Sequence, residues 1–306
     1  MEQWFRPMDL NLVVVTDTPE LDAAVRDAYG RFGEGDKLAI PQLRFEFHDF
    51  GSGDGLNRAP ERSCRFSSAT AELQLGDDGV LSVDRNSGSA RGRFSHRVIA
   101  DRNSFRSHTL HFALSAALTS LGFLGIHASC IAIEGRSALL RGASGAGKTT
   151  LAYASALRGF QLVTGSTVWV APDECAWWGI PWWIYLRPSA AALFPEICGA
   201  PSISAGCETK HEIDLPGGST VACTRPGVVI WVKRNEGGDT ALEPIESAEM
   251  LRWWPQGAAG NEADAEDYNA RIRRLLQRPN YRLIAGNDID HAVELIAAAA
   301  RAGASC

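Results

Sequence analysis

Residues 137–157 read SALLRGASGAGKTTLAYASAL, and this stretch decides what kind of domain the chain carries. Its middle, Gly142-Ala143-Ser144-Gly145-Ala146-Gly147-Lys148-Thr149, is a full match to the P-loop pattern GxxxxGK[ST]. The apolar run Ser137–Leu140 precedes it, and a helical pattern from Leu151 to Leu157 follows, which is the strand–loop–helix order the motif requires. Glycines let the backbone wrap an anion, and successive N–H groups with the helix N-terminus stabilise phosphate charge. Lys148 is expected to reach the β- and γ-phosphates, and the Thr149 hydroxyl to ligate Mg²⁺, with Thr150 next to it. The stretch therefore predicts a phosphate site, and it leaves the reaction open.

Outward from this loop, strands are expected at 10–15, 127–133 and 137–140, and helices at 107–121, 263–277 and 289–302. Thr18-Pro19-Glu20 reads as a helix start, a capping hydroxyl followed by proline in the first turn. From about Leu43 to Val98 the chain alternates and turns often. Phe45, Phe47, Leu73, Leu75, Leu81 and Val83 mark one side, and glycine loops at 51–55 and 76–79 punctuate it, which suggests short antiparallel strands. Residues 1–105 are expected to form a β-rich α+β region without obvious chemistry, and 106–306 the nucleotide-binding domain.

Composition narrows the partners. The 306 residues carry 30 Lys+Arg against 36 Asp+Glu, a net charge of −6, with 45% hydrophobic residues, so the chain is neither disordered nor a polycation. Neither nucleic acid nor a membrane is an expected partner. The uncharged stretch Leu110–Ile126 falls short of the roughly 20 residues of a span, and His111, Ser115, Thr119 and Ser120 interrupt it. Met1-Glu2-Gln3-Trp4 shows no signal-peptide pattern. Seven Cys, an odd number without a CxxC, suggest reduced thiols and a cytoplasmic location.

The surroundings of the loop resemble the C-terminal catalytic domain of HPr kinase/phosphorylase and its smaller relatives, which include the serine kinases of lasso peptide pathways. The residues that carry the resemblance are His127-Ala128-Ser129, the P-loop, Leu157-Arg158-Gly159-Phe160-Gln161-Leu162-Val163 and Gly179-Ile180-Pro181-Trp182. Leu186-Arg187-Pro188, Leu193-Phe194-Pro195-Glu196, the strand 227–233 and Tyr281-Arg282-Leu283 complete it. It spans about residues 122–300. It implies an α/β fold, a PEP-carboxykinase-like P-loop domain preceded by a smaller β-rich α+β domain. It also implies ATP with Mg²⁺, a serine hydroxyl of a peptide or small protein as acceptor, and assembly into homo-oligomers. No LSGGQ-type signature supports an ABC-type ATPase instead.

One departure from the family is chemical. Where it shows Ser/Ala-Asp-Asp, this chain has Thr164-Gly165-Ser166, and a neutral hydroxyl cannot replace a carboxylate as base, an assistance worth roughly 10²–10⁴-fold in rate. Asp173-Glu174, after the apolar Val168-Trp169-Val170, reads either as a compensating acid near the metal or as an ordinary acidic turn. His127 reads either as a group beside the phosphates or as a packed strand residue. Glu208, His211, Glu212 and Asp214 have no clear metal-ligand spacing, so a solvated strand is the simpler reading. The pairs Trp177-Trp178, Trp182-Trp183 and Trp253-Trp254 would each turn one ring outward if they lie in strands; they read either as core and interface packing, the default, or, at 177–183, as a place for a peptide. Arg271, Arg273, Arg274 and Arg278 read as a solvated helix face. Two functions follow: a kinase using Lys148 with His127 or Asp173, or a nucleotide-binding regulatory or scaffold protein without transfer.

Overall fold

The computed structural model describes residues 1–51, 61–180, 183–205, 208–215, 218–254 and 262–303. Their contacts divide into two compact units, one over Met1–Phe123 and the other from Leu124 onward.

The first unit is built on a seven-stranded sheet in the order β1-β2-β3-β7-β6-β5-β4. Its strands are β1 (Glu2–Phe5), β2 (Leu12–Thr16), β3 (Leu43–Asp49), β4 (Arg62–Phe66), β5 (Thr70–Leu75), β6 (Gly79–Asp84) and β7 (Ala90–Phe94). Helix α1 (Pro19–Tyr29) starts where the sequence suggests. Thr18 Oγ1 accepts from the Leu21 N–H, and Pro19 occupies the first turn, where a missing N–H is harmless. Because α1 crosses over between β2 and β3, those strands run parallel, and β3 is also parallel to β7. Only β4 to β7 form the expected antiparallel meander. Phe45, Phe47 and Phe94 are fully buried, each contributing about 1.5–3 kcal/mol on transfer from water.

The helical run α2 (His96–Ala100), α3 (Arg102–Ser104), a π turn and α4 (His111–Ser120) belongs to this unit. Phe105 meets Phe94 edge-on at 5.0 Å, and Ala113, Leu114, Ala117 and Leu118 are buried. The division thus falls at 123/124 instead of the 105/106 read from the sequence, because this apolar run closes over the first sheet.

The second unit has a nine-stranded mixed sheet of β8 (Leu124–Ile126), β9 (Ser129–Ile133), β10 (Arg136–Arg141), β11 (Gln161–Thr164), β12 (Val168–Val170) and β13 (Trp177–Trp178), with β17 (Cys223–Arg234), β18 (Ala241–Pro244) and β19 (Asn280–Ala285). A separate three-stranded sheet holds β14 (Trp183–Leu186), β15 (Ser202–Ala205) and β16 (Glu208–Asp214). Strand β17 is the spine: it pairs in parallel with β10 and β19 and antiparallel with β13. Along β10 the pleat sends alternate residues to opposite layers. Ala138 and Leu140 pack with α5 (Lys148–Leu157) and α8 (Ile289–Ala302), while Leu139 packs with Met250 of α6 (Ser247–Trp253) and Leu275 of α7 (Glu262–Leu275).

Trp253 ends α6 and Trp254 follows it, so this pair is a helix terminus and not a strand pair; Trp254 is buried and Trp253 half-buried. Among the described residues, Cys64, Cys130, Cys175 and Cys198 are free thiols. No helix of the described residues is long and apolar enough to cross a membrane.

Candidate functional site

The glycine-rich loop leaves β10 at Arg141 and enters α5 at Lys148. Gly142 passes so close to β17 that a Cβ there would stand 2.4 Å from the Val232 carbonyl oxygen, which only glycine permits. Gly145 and Gly147 take the left-handed φ values of 82° and 93° that turn the chain back into the helix. Ala143, Ser144 and Gly145 are exposed, whereas Ala146 is buried and donates its N–H to the Ala143 carbonyl. Gly147 caps α5 without a side chain, so the first N–H groups of the helix have no side-chain acceptor there. Thr149 and Thr150 lie half-buried in the first turn.

Lys148 is buried, with 7% of its surface exposed. Its ammonium folds back over the loop and donates to the carbonyls of Gly142 (3.0 Å) and Ala143 (2.9 Å). Burial holds its pKa below the ordinary lysine value, and the positive charges of Arg141 and Arg187 push the same way. This is a cation kept in a costly place by two neutral acceptors.

Thr149 faces the Thr164-Gly165-Ser166 segment. Its hydroxyl donates to the buried Gly165 carbonyl at 3.1 Å, and that carbonyl also receives the hydroxyl of fully buried Ser129 at 2.7 Å. The Thr164 hydroxyl accepts from the N–H groups of Ser166 and Thr167, both at 3.4 Å, which turns the chain sharply after β11. A Cβ at Gly165 would lie 3.5 Å from the Thr149 methyl and 3.0 Å from Ile184 Cγ1. The segment therefore offers Thr149 a carbonyl oxygen and no carboxylate.

His127 sits between β8 and β9, just before the strand that the sequence reading began at this residue. The Ala128 N–H donates to the Ser166 carbonyl, which ties this corner to the 164–166 turn. His127 is exposed, yet desolvation chiefly lowers its pKa below the ordinary histidine value. Lys148, Arg141 and, more weakly, Lys210 reinforce this, against a hydrogen bond with the Ser166 backbone. The ring is thereby held neutral at pH 7. Arg141 donates through Nη1 to the His127 carbonyl and lies 5.3 Å over the Trp254 ring, whose Nε1 donates to Tyr268 Oη at 3.0 Å. Arg187, at the end of β14, reaches the loop from the other side, with Nη2 3.4 Å from Ser144 Oγ.

Asp173 is bonded within its own turn. It lies exposed in the turn from β12 to β13, where its carboxylate accepts from the Cys175 N–H at 3.0 Å. Its neighbour Glu174, at φ 59°, is gripped by Arg274 at 2.9 Å and Arg271 at 3.8 Å, and Arg271 and Arg278 donate to the Ala171 and Glu174 carbonyls. None of these bonds joins Asp173 to Lys148, Thr149 or His127. Of the arginines expected on a solvated face, Arg271, Arg274 and Arg278 clamp this turn and Arg271 is buried, while Arg273 is exposed.

His211 bonds the Ala200 carbonyl and Ser202 within the smaller sheet, and the Glu208 side chain lies outside the described residues. No group of three His, Cys, Asp or Glu that could hold a metal occurs among the described residues. Trp177 is fully buried, Trp178 and Trp183 are half-buried, and Pro181 and Trp182 lie outside the described residues.

The structure thus gathers Gly142–Thr149, His127 and Thr164–Ser166, and adds three groups that sequence reasoning did not assign to the site: Ser129, Arg141 and Arg187. Arg141 could have been found by its place directly before the loop. Arg187 stood only within Leu186-Arg187-Pro188 of the resemblance, with nothing to tie it to the loop, because a strand of another sheet delivers it.

No family model matches this sequence, and no curated protein matches it. Among solved structures the chain is similar to the Hpr(Ser) kinase/phosphatase from Coxiella burnetii, at 13% identity and a TM-score of 0.31, over 58% of this chain and 95% of that one.

Proposed function

We propose that the chain binds ATP with Mg²⁺ on the Gly142–Thr149 loop and transfers phosphate to a serine hydroxyl of a peptide or small protein. The observation that carries the nucleotide part is Lys148: a buried ammonium held only by its own loop's carbonyls and crowded by Arg141 and Arg187. A polyanion relieves that crowding, and the loop around Lys148 has the glycine conformations that let backbone amides surround phosphate. ATP fits these residues. Thr149 would supply a hydroxyl ligand to Mg²⁺, which when bound neutralises charge on the phosphates. Lys148 would orient the outer phosphates, and His127, held neutral, would donate to or accept from a group beside them.

The acceptor rests on the resemblance to HPr-kinase-like proteins, and the half-exposed Trp178 and Trp183 mark where a peptide would lie. A second reading, nucleotide binding without transfer, is favoured by one observation. The segment beside Thr149 presents the Gly165 carbonyl and no carboxylate. Calorimetric titration with ATP·Mg²⁺ tests the shared part: Lys148→Ala is expected to weaken binding at least 100-fold, and equal binding would refute the assignment. Incubation with labelled ATP and peptides encoded beside the gene separates the readings. Phosphopeptide supports transfer, and tight binding without transfer or hydrolysis supports the second reading.

A further inference from the structure

We infer that Arg187 is the residue that reads the terminal phosphate, so that the site discriminates a nucleoside triphosphate from the diphosphate. This rests on the nucleotide reading above. Two observations converge on it. The guanidinium stands at the exposed tip of the loop: Nη2 is 3.4 Å from Ser144 Oγ, and Nη1 would lie 3.3 Å from a Cβ on Gly145, so glycine makes room for it. It is held there from behind, since Ile184 and Leu186 of the same strand are buried in the core that packs against α5.

The division of labour follows from chemistry. In loops of this type the backbone amides cradle the inner phosphates and the lysine reaches the β- and γ-phosphates. Lys148 lies on the Gly142–Ala143 side of the loop, and Arg187 lies beyond it on Ser144 and Gly145. A diphosphate is served by the amides and Lys148. The guanidinium is left for the third phosphate, whose oxygens match its planar fork better than they match an ammonium. An arginine carried on the same chain is a known way to meet the charge of a transferring phosphoryl group.

The test needs no acceptor. Affinities of ATP·Mg²⁺ and ADP·Mg²⁺ are measured by titration calorimetry on the full chain for wild type, Arg187→Ala and Arg187→Lys. Arg187→Ala is expected to weaken ATP at least tenfold while changing ADP less than twofold, and retained ADP binding reports an intact loop. Arg187→Lys, which keeps the charge and loses the fork, is expected to fall between. Equal weakening of both nucleotides, or no change in either, overturns the inference. Absence of ATP binding by wild type overturns the nucleotide reading instead.

Discussion

The Gly165 carbonyl is held from two sides, and a double-mutant cycle on Ser129 and Thr149 reads that arrangement directly. Ser129→Ala removes a 2.7 Å bond and Thr149→Val a 3.1 Å bond to the same oxygen. Each single change leaves the carbonyl one donor, so each should cost only the net value of a neutral hydrogen bond, about 1 kcal/mol. Simple addition puts the double variant at about 2 kcal/mol. The double variant, however, leaves a buried carbonyl bare, which adds a desolvation penalty of about 1–3 kcal/mol. The expected total is therefore about 3–5 kcal/mol, with a coupling of about 1–3 kcal/mol. Urea unfolding followed by tryptophan fluorescence is the suitable assay. Of the nine tryptophans only Trp4 lies in the first unit, so the signal reports the unit that contains the bond. A double variant that equals the sum of the singles within about 0.5 kcal/mol would refute the shared-acceptor geometry, since independent sites add to that accuracy.

Two further perturbations address the loop and the first unit. Gly142→Ala should destabilise the second unit by at least the roughly 1–3 kcal/mol of overpacking, because its methyl would meet backbone atoms of Val232 that the sheet holds in place. An unchanged Tm by tryptophan fluorescence would contradict this. In the first unit, burial, with Arg62 adding to it at His108 and His108 at His111, lowers both histidine pKa values below the ordinary 6.5. The unfolded chain then binds more protons below pH 6.5, so stability is highest above that pH, falls as pH drops through the depressed values, and levels off below them. Circular dichroism melts at pH 7 and 5 should show this loss, and His111→Gln should reduce it; an equal loss in the variant would assign it to other groups.

The loop was legible because its conformation is specified locally. Three glycines at fixed offsets, a lysine and a threonine determine the backbone path without help from distant residues, and the flanking patterns of 137–140 and 151–157 agree with it. What was not legible depends on strand pairing. Alternation in β3 is the same whether its neighbours run parallel or antiparallel, and the α1 crossover decided the matter. The run 110–118 has little polar contrast around its circumference, so nothing in it says which sheet it covers. Arg187 meets Ser144, 43 residues away, only because β14 packs on α5. Ser129 looked like a strand residue among others, and its role exists only once the 164–166 turn folds beneath it. Asp173 shows the converse: an acid after an apolar strand has the look of a metal ligand, and here its bond is to its own turn.

The pairing of β17 with three partners also sets an order of events during synthesis. A ribosome delivers every strand of the first sheet by Phe94, so that sheet has all its strands at hand as it emerges. The second unit has no such luck. Strands β10 and β13 share no neighbour until Cys223–Arg234 arrives, and β18 and β19 must wait for each other as well. Until then Leu139, Leu140, Val168 and Trp177 have no completed sheet to enter, and loop closure over such separations is slow. The nascent second unit is thus the natural client of a chaperone, and translation stalled before residue 223 would leave a folded first unit tethered to a sticky fragment.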